Sequence, residues 1–172
     1  MGKIFCSFFI FFWFGTVVPA VWGQGTFYTV KRVADGDTVI LSDGRKVRLI
    51  GIDTPESRSN AKLKRDAERT GWDHDTILAL GKRSAQFTRS AAEGKRVRLE
   101  YDVETKDRFG RTLAYLFLED GTFINAELVK EGYATVYTVP PNVKYKDLFL
   151  SLQKDARQAK RGLWRDAPII VR

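Results

Sequence analysis

The stretch Thr26–Ile52, TFYTVKRVADGDTVILSDGRKVRLIGI, constrains the fold more than any other part of the chain. Runs rich in β-branched and aromatic residues are cut there by two turn signals, Asp35-Gly36 and Ser42-Asp43-Gly44-Arg45. Runs of that length between such turns read as three short strands: Thr26–Val33, Thr38–Leu41 and Lys46–Ile52. In the third, Val47, Leu49 and Gly51 share one face, and Arg48, Ile50 and Ile52 the other. A face carrying both arginine and isoleucine suits a strand that runs from a barrel interior to its rim.

Two further strands follow. Lys95–Val103 alternates strictly, with Val97, Leu99 and Tyr101 on one side, and Thr112–Leu118 comes after a turn at Asp107–Arg111. Helical spacing marks Thr76–Ala92, through Ile77, Leu80, Ser84, Phe87 and Ala91, with Asp75 as N-cap and Gly94 just beyond the end. Asn125 caps a short helix that stops at Gly132. Lys146–Arg161 forms a last helix with Leu148, Leu152, Ala156 and Ala159 near one side. Positions 57–75 are polar and weakly periodic, a loop or a marginal helix, and Thr138–Asn142 with its Pro140-Pro141 pair is a break. Five β runs with helices inserted predict an α+β fold, mainly β: a small closed five-stranded barrel with about three packed helices.

Positions 1–23 stand apart. Lys3 precedes an apolar run from Ile4 to Phe14, and Pro19 and Ala20 follow it. This is the layout of a secretory signal peptide, cleaved after Ala20 or after Gly23. An uncleaved anchor is the alternative, because Ile4–Trp22 approaches the ~20 residues that span a bilayer. The expected organisation is a signal peptide over 1–23 and one domain over 24–172, in a secreted or periplasmic protein that meets no membrane once the signal is removed. The only cysteine, Cys6, lies in that leader, so the domain depends on packing or a bound ion rather than disulfides. The 172 residues carry a net charge of +8, which suits a polyanionic partner without specifying one.

Several chemistries are missing. The one histidine, His74, lies in the polar segment without an orienting partner, and neither a GxSxG elbow nor a GxxxxGK[ST] phosphate loop occurs. Any chemistry must come from carboxylates, arginines and an oxygen-bound metal. Asp35 and Asp37 form one acidic cluster, Asp53 and Glu56 a second. Asp37, Asp53 and the Thr54 carbonyl are hard donors of the kind Ca²⁺ accepts. Ordinary turn preference also accounts for Asp35-Gly36-Asp37, and a helix capping box accounts for Asp53 and Glu56. Arg48 and Arg111, flanking such a cluster, would clamp a phosphodiester through their bidentate guanidinium groups.

The runs DGDTV, RLIGIDTPE, DRFGRTLAY, LVKEGYA and ARQAKRGLW follow one another between Val30 and Trp164. In order and spacing they resemble the staphylococcal nuclease family. The resemblance implies an OB-fold barrel and Ca²⁺-dependent hydrolysis of DNA and RNA; a monomer without a stable protein partner is expected. It makes Asp37, Asp53 and the Thr54 carbonyl the Ca²⁺ ligands, with Asp35 outside them. It makes Glu56 the group that takes a proton from water, and Arg48 and Arg111 the holders of the scissile phosphate. Arg108 and Phe109 become substrate contacts, Phe109 standing where the family has a tyrosine. Tyr137-Thr138-Val139-Pro140 departs from the paired tyrosines of the family, and positions 57–75 exceed their counterpart in length. A nucleic-acid-binding OB module without catalysis, or an anchored Ca²⁺-binding surface protein, are the competing expectations.

Overall fold

The computed structural model describes residues 26–165; the expected signal peptide lies outside them. Five strands close a barrel: β1 (Phe27–Asp35), β2 (Thr38–Leu41), β3 (Lys46–Leu49), β5 (Arg96–Glu100) and β6 (Thr112–Leu118), in the order β1-β2-β3-β6-β5 with β5 returning to β1. All neighbours are antiparallel except β3 and β6. Pairing of β1 with β2 is irregular at two points, and such bulges bend a strand as barrel closure requires. The α+β barrel expected from the alternating runs is the observed fold.

The third predicted strand does not run through to Ile52. It breaks at Ile50, and Gly51–Asp53 forms β4, which leaves the barrel and pairs with β7 (Thr135–Tyr137) as a separate two-stranded ribbon. Gly51 has φ +80°, a conformation that costs glycine nothing, and a Cβ there would meet the Phe149 ring at 2.5 Å. Asn125 stabilises the same corner. Rather than capping a helix, it is fully buried, accepts from the Leu116 N–H at 3.0 Å and donates to the Ile50 carbonyl at 2.9 Å. The helix it was expected to cap, α3 (Ile124–Lys130), starts two residues earlier, with Phe123 at its N-cap position and no side-chain cap.

Four α-helices occupy the described residues, one more than expected. Positions 57–75 contain α1 (Ala61–Thr70), capped by Asn60 accepting from the Leu63 N–H at 2.9 Å. α2 (His74–Ala92) is capped by Asp73, not Asp75, and Gly94 takes a left-handed φ of +77° just beyond its end. Its buried face includes Ile77, Leu80 and Ser84 as expected, but Thr88 and Gly81 in place of a full Phe87. α4 (Lys146–Gln158) ends before Arg161 and buries Phe149 where Leu148 was expected; Leu148 is exposed. Tyr101 is likewise exposed, because β5 ends at Glu100. Val30, Val39, Leu41, Val47, Leu49, Val97 and Leu116 fill the barrel with no exposure at all. Among the described residues no helix is long and apolar enough to cross a membrane.

Candidate active site

Asp37 sits in the turn just before β2, Arg48 lies on β3 and is paired in register with Thr38, and Asp53 ends β4. No helix starts at Asp53, so Asp53 and Glu56 do not form a capping box; the strand ends in an irregular segment carrying Thr54, Pro55 and Glu56.

Arg48 is almost buried and bridges the two aspartates, one guanidinium nitrogen on Asp37 and the other 2.9 Å from Asp53 Oδ1. Asp37 and Asp53 are each only 6% exposed. Asp37 also accepts from the Thr38 hydroxyl at 2.9 Å and from the Thr54 N–H and hydroxyl at 3.1 Å. Two buried carboxylates therefore converge, and positive charge is already drawn in to meet them.

A second cation, absent from the sequence expectations, completes the chain of charges. The Lys62 ammonium on α1 donates to the Thr54 carbonyl at 3.0 Å and sits 3.3 Å from Asp53 and 2.9 Å from Glu56. Nothing in a polar segment read as a loop aims Lys62 at Thr54. The available signal was Asn60 three residues before Leu63, an N-cap pattern that starts a helix and sets Lys62 in its first turn.

Glu56 is also held by the Asn60 amide. Burial pushes its carboxyl up, but Lys62 and Asn60 outweigh that and keep it below the ordinary glutamate value. Asp35 goes the other way. Burial and the neighbouring Glu56 charge raise it, against hydrogen bonds from the Ser57 side chain and from the Gly36 N–H at 2.9 Å. The two adjacent carboxyls are thus shifted in opposite directions, Glu56 down and Asp35 up.

Arg111 enters from the loop before β6. Arg48 lies within electrostatic range of both Arg111 and Glu56. Arg48 and Arg111, with Arg108 and Phe109, line one cleft of about 540 Å³ that also includes Tyr137 and Val139. Phe109 is 68% exposed, with the Arg108 and Arg111 guanidinium carbons 4.7 and 5.5 Å from its ring centre. Glu56 does not line this cleft.

Asp107 fixes Arg111. It accepts from the Arg111 Nε at 2.6 Å and from the Arg111 and Phe109 backbone N–H groups at 2.9 Å. Burial would raise its carboxyl, but these donors hold it below the usual aspartate value. Asp107→Ala is expected to lower kcat/KM by about 10–100-fold, because an unheld guanidinium loses its aim. Combining it with Arg111→Ala adds little to Arg111→Ala alone; full additivity of the two losses would show that Asp107 acts elsewhere.

Among the described residues no group of three or more His, Cys, Asp and Glu side chains surrounds one point. The donors that do converge are Asp37, Asp53 and the Thr54 carbonyl, oxygens only, and the Thr54 carbonyl and Asp53 already hold an ammonium. That donor chemistry fits a hard cation such as Ca²⁺, which takes carboxylate and carbonyl oxygens and completes its shell with water.

Comparison with known proteins agrees with the motifs. The family profile described as "Staphylococcal nuclease homologue" matches residues 46–166. The chain is 43% identical over 144 residues to a thermonuclease of Staphylococcus intermedius, across 82% of this chain and 77% of that protein. It is 39% identical over 140 residues to the thermonuclease of Staphylococcus hyicus, across 80% and 75%. An uncharacterized endonuclease of Escherichia coli O157:H7 is 34% identical over 141 residues, across 80% and 76%. Barrel and matches together define a hydrolase of the nuclease class. More particularly, the chain belongs to the staphylococcal nuclease family.

Proposed function

We propose that the chain is an exported, Ca²⁺-dependent nuclease that hydrolyses phosphodiester bonds of DNA and RNA. The observation that carries this reading is the continuous line of charge Asp37–Arg48–Asp53–Lys62–Glu56 beside a cleft that Arg48 shares with Arg111. Such a line pairs a cation-holding oxygen set with two guanidinium groups able to bind phosphate oxygens bidentately.

When held by Asp37, Asp53 and the Thr54 carbonyl, Ca²⁺ supplies Lewis-acid neutralisation of phosphate charge. Arg48 and Arg111 donate N–H groups to the phosphate oxygens, most strongly as charge builds in the transition state. Glu56, ionised, accepts a proton from the attacking water or orients it. Arg108 and Phe109 take the flanking nucleotide, Phe109 through its exposed ring face. By the family resemblance, attack is in line, the 5′-oxygen leaves, and the product retains a 3′-phosphate. Asp35 remains behind the ligands. The enzyme acts as a monomer, and residues 1–23 serve as a cleaved signal peptide, which mass spectrometry of the exported product tests.

The deciding assay follows degradation of single-stranded DNA and of RNA in Ca²⁺, Mg²⁺ or EDTA, beside the Glu56→Gln variant. Degradation in Ca²⁺, its loss in EDTA, and a fall of about 10²–10⁴ for Glu56→Gln are expected. Undiminished cleavage in EDTA sinks the Ca²⁺ dependence, and a fully active Glu56→Gln removes Glu56 from the mechanism.

A further inference from the structure

A second cleft, of about 440 Å³, opens beside Ser57 and Arg58, the two residues that follow Glu56. It is lined by Ala34, Ser57, Arg58 and a stripe of α2 comprising Lys82, Arg83, Ala85, Gln86 and Arg89. Four of its eight lining residues are cations and none is an acid. Lys82, Gln86 and Arg89 follow one another at i, i+4 and i+7, so one helix face presents them together. Part of that charge is engaged. Arg89 donates to Gln86 at 2.7 Å and lies 3.7 Å from Glu93, and Arg83 donates to the Gly162 carbonyl at 3.4 Å. Arg58 and Lys82 are exposed, and no acid among the described residues pairs with either.

The cleft adjoins the Glu56 segment of the site. Its Ser57 and Arg58 directly follow Glu56, and the Ser57 N–H donates to Asp35. No aromatic side chain lines it, in contrast to the cleft on the Arg111 side with Phe109 and Tyr137. Cations without a stacking surface suit a sugar-phosphate backbone rather than bases. We propose that this cleft is a backbone track holding phosphates of the substrate strand beyond the scissile one, on the Glu56 side. The inference rests on the nuclease reading and deepens it. The two clefts then grip a single strand on either side of the cut, one partly by stacking and one by charge alone. Affinity accordingly rises with strand length and without base preference on the charged side.

The test uses the full chain carrying Glu56→Gln, to block cleavage, with and without Arg58→Ala plus Lys82→Ala. Fluorescence anisotropy reads binding of labelled oligothymidylates of four and twenty nucleotides across a salt series. Because both side chains are exposed and unpaired, the melting temperature should hold. For the 20-mer, the slope of log affinity against log salt falls by about 1.4, since each lost phosphate contact removes ~0.7 on single strands. The 4-mer shows a smaller loss, so the length dependence shrinks. An unaltered slope and unaltered length dependence in the double variant, and in Arg58→Glu plus Lys82→Glu, overturn the track. A chain with Glu56 intact that neither binds nor cleaves the 20-mer overturns the nuclease reading itself, a distinct result. Loss of sedimentation with phosphatidylserine vesicles in the double variant, with DNA binding intact, overturns the track and reassigns the cleft to a lipid surface.

Discussion

Arg48→Ala lowers hydrolysis of nucleic acid by about 10²–10³ even at saturating Ca²⁺, the typical loss for one transition-state donor. It also destabilises the fold. Arg48 is the guanidinium that joins Asp37 and Asp53, each 6% exposed. Removing it leaves Asp37 with only neutral donors from Thr38 and Thr54, and Asp53 with Lys62 as its cation among these contacts. Breaking one side of a buried ion pair costs about 3–5 kcal/mol. The two effects separate by metal. Added Ca²⁺ raises the melting temperature of Arg48→Ala more than that of the parent, because the stranded carboxylates regain a cation, yet the rate stays low. Thermal melts with Ca²⁺ and with EDTA, beside initial rates, check both halves. A rate near that of the parent would remove Arg48 from phosphate binding, and equal Ca²⁺ stabilisation of both proteins would detach it from the metal site.

Gly81→Ala is the second large effect, and residue preferences alone give it the wrong sign. Alanine in place of a helix-interior glycine ordinarily stabilises by about 1 kcal/mol. In this fold α2 packs Gly81 against the segment carrying Glu56. A Cβ would lie 2.2 Å from the Glu56 carbonyl oxygen, 2.3 Å from its carbon and 2.6 Å from the Ser57 nitrogen. Those are backbone atoms, so either α2 retreats or the Glu56 segment shifts by about 1 Å. Misplacement on that scale costs about 10²-fold in rate, whereas overpacking costs about 1–3 kcal/mol, partly offset by the helix gain. The expected result is a folded, helical, nearly inactive protein. Circular dichroism, melting temperature and kcat/KM measure it, and full activity in a folded Gly81→Ala would show that Glu56 need not sit where α2 holds it.

The barrel was legible wherever a local signal and a global demand coincide. The runs Thr38–Leu41, Lys46–Ile52 and Thr112–Leu118, punctuated by turn signals, predict strands, and the closed barrel contains the first and last of them and the Lys46–Leu49 part of the middle one. The helical period over Thr76–Ala92 recovers α2 within two residues of its start. Failures fall where a residue's role is set by a distant partner. Gly51 continues the strand pattern in sequence, yet Phe149 on α4 leaves room for nothing larger. Asn125 reads as a cap, yet it is drawn inside by the Leu116 N–H and the Ile50 carbonyl.

The candidate site divides the same way. By itself the sequence determined the family, the barrel class and which carboxylates and arginines were available, because periodicity, turn chemistry and motif spacing are local properties of the chain. Only the tertiary structure decided that Arg48 bridges Asp37 to Asp53, that Lys62 reaches the Thr54 carbonyl, and that Arg58 and Lys82 face one groove. Those meetings depend on how β4 leaves the barrel and where α1 and α2 dock, and docking is governed by packing between segments far apart in the chain.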